Sequence, residues 1–194
     1  MTSALKYIKE TIQNEWKGIK SEDYNYKSIF SGKMIDFRKQ EYSVERVDRP
    51  ANLASAKSVG YKAKQGILVA RVKIRKGSGL HPRPNAARRP KRMGVKKLTR
   101  NKSIQSMAEV KASKKFANCE VLGSYLAGED GVSKFFDVVL VEPENPSIKA
   151  DKNFKWLAWT PQRGKAERGL TSAGKKGRTA NHKTKRKADK KKNN

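Results

Sequence analysis

Acidic residues are scarce in this sequence, and one long stretch has none. The 194 residues include 18 Asp or Glu against 46 Lys or Arg, and the 60 residues from Arg49 to Ala108 hold 17 Lys or Arg without a single acid. A solvated surface normally mixes both signs of charge, and a net charge of +28 disfavours a compact isolated chain through self-repulsion. The imbalance therefore predicts a polyanionic partner, either nucleic acid or an anionic membrane surface.

Long apolar runs, cysteines and histidines are also scarce. No apolar run approaches the ~18 residues of a spanning helix, and the N-terminus lacks the apolar segment of a secretory signal, so we expect a cytosolic protein without a membrane partner. The single cysteine, Cys119, excludes an internal disulfide and a thiolate zinc site, and we expect it to be a small buried side chain. His81 and His182 lack the partners of a catalytic triad or metal site. We expect no enzyme activity, metal, cofactor or small-molecule substrate.

A strand and a long basic loop lie inside the acid-free stretch. From Ile67 to Lys76 apolar residues at even positions alternate with Arg71, Lys73 and Arg75, which predicts a strand with one face on a core and the other presenting charge. Three prolines and two glycines between Gly77 and Arg92 break helix and strand alike. Such a loop has no core of its own, so we expect a polyanion to order it.

The remaining elements are predicted from spacing, caps and turns. Helices are expected at 4–16 (ended by Gly18), 28–42, 52–59 (capped by Asn52 and closed by Gly60), 103–118 and, as one turn, 145–151. Strands at 120–128 and 134–141 flank a Glu-Asp-Gly turn and form a hairpin, with Gly131 at positive φ. Beyond Pro161 apolar residues nearly vanish. We therefore divide the chain into one α+β domain, 1–160, with an inserted basic loop, 76–102, and a basic C-terminal extension, 161–194.

Two motifs allow more than one interpretation. The segment from Gly169 to Lys176 nearly matches a phosphate-binding loop, but it ends in Lys176 where Ser or Thr would bind magnesium, and no buried strand precedes it. A flexible glycine-rich turn that presents cations to RNA phosphates is the favoured reading. The aromatic residues between Tyr24 and Tyr42 either pack in a core or stack on bases. Packing is favoured, because stacking platforms usually lie on basic sheets and this segment has mixed charge.

Several short stretches resemble one known family. They occur in the family's order at Val44–Pro50, Gly60–Gly66, Arg92–Val95, Ser103–Glu109, Val121–Tyr125, Lys134–Pro143, Trp156 and Gly169–Gly174. The sequence is similar to protein fifteen of the large ribosomal subunit, of the archaeal and eukaryotic "e" type. The Arg92–Val95 stretch and the overall length resemble the archaeal members. The resemblance implies a small α+β domain with an antiparallel four-stranded sheet and packed helices, extensions buried in large-subunit ribosomal RNA, neighbouring ribosomal proteins and no catalysis. It weakens in residues 17–43, 80–90 and after Arg178.

The leading hypothesis is therefore a structural binder of large-subunit ribosomal RNA, located on cytoplasmic ribosomes. Because side chains cannot read the narrow major groove of A-form RNA, we expect contacts to phosphates and 2′-hydroxyls, with Tyr61 as the best stacking candidate. The alternatives are an architectural DNA-binding protein and, from the Gly169–Lys176 near-match alone, a nucleotide-dependent enzyme. The predicted RNA-binding residues are Tyr61, Lys62, Lys64, Arg71, Lys73, Arg75, Lys76, His81, Arg83, Arg88, Arg89, Lys91, Arg92, Lys96, Lys97, Arg100, Lys102, Arg168, Lys175, Lys176 and Arg178.

Overall fold

A computed structural model describes residues 3–21, 23–79, 81–95, 100 and 102–176. The helices in this part of the chain are α1 (Ser3–Lys17), α2 (Tyr26–Lys39), α3 (Leu53–Val59), α4 (Ile104–Lys115), α5 (Pro146–Lys149) and α6 (Ser172–Lys176). The strands are β1 (Val44–Val47), β2 (Ile67–Arg75), β3 (Glu120–Glu129) and β4 (Ser133–Val141). Short 3-10 turns occupy Pro90–Arg92, Lys155–Ala158 and Thr160–Gln162.

The four strands form one antiparallel sheet in the order β1-β2-β4-β3. Strands β2 and β4 pair along their whole length, from Ile67 opposite Val141 to Arg75 opposite Ser133. All of β4 except Lys134 is buried, which explains why its sequence is a nearly continuous apolar run rather than an alternating one. The predicted α+β class, with an antiparallel four-stranded sheet and packed helices, is confirmed.

Helices cover both faces of the sheet. On one face the small residues Ala108 and Ala112 of α4 pack against even-numbered residues of β2 and β4, among them Val72 and Val138. On the other face Phe37 of α2 and Ala56 of α3 pack against Phe135. The alternation in β2 had predicted a second face presenting charge to solvent. That prediction is wrong at Arg71, whose side chain lies under the helices of this second face.

Local capping explains where the helices begin and end. Asn52 Oδ1 accepts a hydrogen bond from Ser55 N (2.8 Å) at the start of α3, and Gly60 ends that helix in the left-handed region with φ +106°. Ser103 Oγ accepts from Ser106 N (3.1 Å) and caps α4. These caps confirm the predicted helices. Helix α1 begins and ends within one residue of the predicted 4–16, whereas α2 begins two residues and ends three residues before the predicted 28–42.

The β3–β4 turn differs in detail from the expectation. Gly131 does not adopt a positive φ. Instead, Asp130 Oδ1 accepts hydrogen bonds from Val132 N and Ser133 N, so a side chain rather than a glycine conformation closes the turn. The short strand β1 was not predicted from periodicity, because the sequence around it gave no clear helix or strand pattern.

The chain after β4 stays packed on the domain as far as the structure describes it. Ile148 and Leu157 belong to a third apolar cluster at the end of the sheet. Ala166 joins the core beneath α4, and Thr171 and Ala173 are buried as well. The division of the chain at residue 161 stays a prediction; up to Lys176 the basic segment is held against the domain by buried small side chains.

Candidate nucleic-acid interface

The cations of the acid-free stretch fall into two groups. The first group lies within residues 49–76 and consists of Lys62, Lys64, Arg71 and Lys76, which meet carboxylates from distant parts of the chain. Asp151 Oδ2 lies 3.1 Å from Lys64 Nζ and 3.7 Å from Lys62 Nζ. Glu129 lies 3.7 Å from Lys76 Nζ and forms a closer pair with Lys134 at 2.7 Å. The stretch lacks acid in sequence, yet four of the eight cations in its first half meet a carboxylate in space.

Arg71 has the least exposed side chain of these cations. Its Nε and Nη2 donate to the two oxygens of Asp137 at 2.8 and 3.2 Å, and its guanidinium carbon lies 4.0 Å from the centre of the Phe37 ring. The Arg71 side chain is 14% exposed and that of Asp137 is fully buried. Asp137 Oδ2 also accepts from Tyr125 Oη and Ala51 N, both at 2.9 Å. Arg71 is thus held by the fold, and its role in RNA binding stays a prediction.

The same network changes the chemistry of Tyr125. Burial, followed by the neighbouring Asp137 carboxylate, raises the pKa of Tyr125 well above its ordinary value. The phenol therefore remains a proton donor to Asp137 throughout the physiological range. A carboxylate with four donors is fully satisfied, which is the condition under which a buried ion pair is tolerated.

The second group of cations begins where β2 leaves the sheet. Arg75 is exposed, and so are the loop residues Arg83, Arg88, Arg89, Lys91, Arg92 and, before α4, Lys102. Within the described residues, none of these side chains forms an ion pair with a carboxylate. A dense row of unneutralised cations on an irregular segment is the arrangement that binds phosphates.

The other predicted residues near the loop are partly held. His81 Nε2 lies 3.1 Å from Ser78 O, and Arg100 donates to Met107 Sδ at 3.4 Å and packs against Gly79. Lys73 is half-buried in β2. Tyr61 is half-buried against the second core cluster rather than fully displayed, so only part of its ring is open to a base. Lys96 and Lys97 lie outside the described residues.

The glycine-rich segment from Gly169 to Lys176 is closely packed within the fold. A Cβ on Gly174 would lie 2.7 Å from Gly169 Cα and 2.8 Å from its carbonyl carbon, so the two glycines let the backbone touch itself. The Thr171 hydroxyl donates to Glu109 Oε2 (2.5 Å) and accepts from Gly174 N (3.2 Å). With these groups occupied inside the fold, the near-match to a phosphate loop is explained without a nucleotide.

Cations flank this packed segment. Lys175 and Lys176 are exposed on α6, and Arg168 Nη2 donates to the carbonyl oxygens of Arg163 (2.6 Å) and Pro161. Lys165 Nζ lies 4.6 Å from the centre of the Trp156 ring; burial, and then the charge of Lys175, lower the pKa of Lys165. Arg178 and His182 lie outside the described residues.

The list of predicted residues omitted three exposed lysines of α4. Lys111, Lys114 and Lys115 recur at i, i+3 and i+4, which places them on one side of the helix. The spacing was visible in the sequence. What sequence reasoning missed was their neighbour across space, Tyr42, which lines the same cleft.

Two other kinds of site are absent from the described residues. No group of three or more His, Cys, Asp or Glu side chains there is arranged to hold a metal ion. No helix in that part of the chain has the length and apolar character needed to cross a membrane. Cys119 is buried as expected; burial, and then the carboxylates of Glu142 and Glu120, raise its pKa, so it remains a thiol.

Comparison of the sequence with known proteins identifies the family of this chain. The model of the family described as Ribosomal L15 matches residues 3–194. The large ribosomal subunit protein eL15 of Methanocella arvoryzae is 48% identical over 176 residues, covering 91% of this chain and 86% of that protein. The eL15 of Metallosphaera sedula is 45% identical over 179 residues, covering 92% and 78%. Since the family model and both relatives match nearly the whole chain, the chain belongs to the ribosomal L15 family.

Proposed function

We propose that this protein is a structural constituent of the large ribosomal subunit in the cytoplasm. The domain is a scaffold, and the unneutralised cations of the loop bind large-subunit ribosomal RNA. The observation that carries the proposal is the change along the acid-free stretch: Lys62, Lys64, Arg71 and Lys76 meet carboxylates of the same chain, whereas the cations from Arg83 to Arg92 are exposed and meet none among the described residues. The family is one of structural proteins, so no catalytic step is involved.

The physical basis is release of counterions from RNA. Each cation that meets a phosphate releases condensed counterions, so affinity falls steeply with salt; ten such contacts give a log–log slope of about −7 to −9. The loop has no core of its own, so RNA contacts offset the entropy of ordering it. Duplex A-form regions are contacted through phosphates and 2′-hydroxyls rather than through bases in the major groove.

The proposed interface contains the exposed loop cations first. Arg75, Arg83, Arg88, Arg89, Lys91, Arg92 and Lys102 form this group, and Lys175 and Lys176 extend it from α6. Lys96, Lys97 and Arg178 remain predicted members from the sequence. Neighbouring ribosomal proteins are further proposed partners, because the relatives are named as parts of the same large subunit.

A competition assay tests the RNA proposal against the DNA alternative. The full chain is bound to labelled archaeal large-subunit ribosomal RNA and challenged with unlabelled duplex DNA or the same RNA at matched salt. We expect the RNA to compete far better than the DNA, because the surface must fit a folded RNA and not charge alone. Equal competition by DNA would identify an architectural DNA-binding protein instead. In cells, a tagged chain should sediment with large subunits through a high-salt gradient.

A further inference from the structure

A small basic cleft with an aromatic wall lies on the side of the sheet away from α2 and α3. Its residues, here called the Tyr42 patch, are Tyr42, Ser43, Val44, Lys111, Lys114 and Lys115, and the cleft has a volume of about 380 Å³. That volume falls in the range of about 300–1,000 Å³ typical of small-ligand sites. The Tyr42 side chain is 61% exposed, and the three lysines are exposed too.

The fold holds the aromatic side of this patch in place. Tyr42 N donates to Glu45 Oε1 at 2.7 Å, and the next carbonyl, that of Ser43, accepts from Lys73 N of β2 at 2.9 Å. The backbone that carries the ring is therefore tied to the sheet on both sides. A tyrosine left largely exposed on a fixed backbone loses little conformational entropy when a second flat ring stacks on it.

The cationic side of the patch is in an unfavourable state without an anion. Lys111, Lys114 and Lys115 lie within one turn of α4, where like charges at these spacings repel one another. Among the described residues no carboxylate forms an ion pair with them, and Lys115 Nζ instead lies 6.0 Å from the centre of the Tyr42 ring. Of the two acids beside Tyr42 in the sequence, Glu45 accepts the hydrogen bond of the Tyr42 amide, and Glu41 is exposed and forms no ion pair with these lysines among the described residues. An anion bound here removes this repulsion.

We infer that the Tyr42 patch binds an unpaired nucleotide of RNA, with the base stacked on Tyr42 and the adjoining phosphates on the three lysines. The inference rests on the proposed function and adds to it a second contact surface of different chemistry from the loop. An aromatic ring beside cations is the combination used by single-strand binding sites, because every base has a stacking face. A base paired within an A-form helix does not present that face, so the occupant is single-stranded.

The test uses site-specific crosslinking on the full chain. The protein is titrated with a short single-stranded oligouridine containing 4-thiouridine, irradiated, digested with trypsin and analysed by mass spectrometry. The tryptic peptide from Gln40 to Arg46 contains Tyr42 as its single aromatic residue, so an adduct on it reports on this patch alone. We expect an adduct on this peptide with the single strand and none when the same oligouridine is annealed to oligoadenosine.

Removing the lysines provides the quantitative part of the test. For Lys111→Ala/Lys114→Ala/Lys115→Ala, three lost phosphate contacts lower the salt slope of this titration by about 2, which at about 0.1 M salt corresponds to about 100-fold weaker binding. Alanine is the best helix former, so α4 is expected to persist. The matched control, Lys149→Ala/Lys152→Ala/Lys155→Ala, removes three exposed lysines from another surface and should change the titration little.

The possible results separate this inference from the proposed function. If the chain binds ribosomal RNA but the Gln40–Arg46 peptide carries no adduct, or both triple variants shift its titration equally, the Tyr42 patch is not a nucleotide site and only this inference fails. An equal adduct yield with the annealed duplex likewise overturns it. If the chain binds neither the ribosomal RNA nor the oligouridine, the proposed function fails together with it.

Discussion

The two halves of the acid-free stretch have a similar share of Lys and Arg, 8 of the 28 residues in 49–76 and 9 of the 32 residues in 77–108, but different surroundings. In residues 49–76 four cations, Lys62, Lys64, Arg71 and Lys76, face Asp137, Asp151 and Glu129, which come from β4, the α5 region and β3. In residues 81–95 the cations project from a loop that pairs with no strand, and no carboxylate reaches them within the described part of the chain. A local absence of acid in a sequence therefore predicts a polyanion site only where the fold brings no carboxylate close to the cations.

Strand register explains why Arg71 has a carboxylate partner and the arginines of the loop have none. Arg71 and Asp137 are direct cross-strand neighbours in the β2–β4 ladder, although 66 residues separate them. Opposite charges placed across a ladder stabilise a sheet, and here they are buried as well. The loop has no ladder to bring an acid opposite its arginines, so its charge remains for an external partner.

The largest expected effect comes from removing the acid of the paired half. Asp137→Ala leaves the guanidinium of Arg71 buried without its partner. It also removes the oxygen that accepts hydrogen bonds from Tyr125 Oη and Ala51 N. We expect a loss of about 3–5 kcal/mol in the free energy of unfolding, measured by urea denaturation at neutral pH.

A double variant sharpens this test. Arg71→Met/Asp137→Leu replaces the ion pair with apolar side chains, which commonly restores most of the stability lost when one partner is removed. Its salt slope for RNA binding should match that of the natural chain if Arg71 serves only the fold. A shallower slope would show that Arg71 also contacts RNA, and its pairing with Asp137 would then not exclude it from the interface.

The second expected effect concerns the unpaired half. Replacing Arg88, Arg89, Lys91 and Arg92 together by Ala should make the salt slope for ribosomal RNA shallower by about 3. Because these side chains are exposed and unpaired, the free energy of unfolding should change by less than about 0.5 kcal/mol. The matched control removes the same charge from exposed sites near α1, with Lys6, Lys9, Lys17 and Lys20 changed to Ala. An unchanged slope in the loop variant would contradict a role for the loop.

The sequence predicted the local features and missed the long-range ones. The caps of α3 at Asn52 and Gly60 were readable because each acts within a few residues. The single acid of the apolar run in β4, Asp137, was a visible signal that a partner exists, since a buried carboxylate needs one. The identity of that partner depended on strand order and register, which no local pattern encodes. The same holds for Glu109, whose carboxylate accepts hydrogen bonds from Ser124 and Thr171, 15 and 62 residues further along the chain.

A third, intermediate effect tests whether residues after 161 belong to the packed region. Thr171→Val keeps the shape of the side chain but removes the hydroxyl that donates to the buried carboxylate of Glu109. Losing a hydrogen bond to a charged group costs about 1.5–3 kcal/mol, seen in urea denaturation together with faster tryptic cleavage after Lys165 and Arg168. Thr171→Ser retains the hydroxyl and should remain close to the natural chain. Equal stability of the Val and natural chains would show that this segment contributes little to the domain.

The smallest expected effect is the pH dependence of the exposed pairs in the first half. The backbone N–H of Asn153, and then Lys64 and Lys62, lower the pKa of Asp151 below its ordinary value of 3.8. The folded chain therefore binds fewer protons at this group than the unfolded chain, so its contribution to stability is full above about pH 3.8 and is lost as the pH falls through the lower folded pKa. Asp151→Asn should lower the thermal midpoint slightly at neutral pH, and the difference from the natural chain should vanish in strong acid. A difference that persisted there would mean that Asp151 acts through its shape and not its charge, and the neutralisation inferred for Lys62 and Lys64 would lose its electrostatic basis.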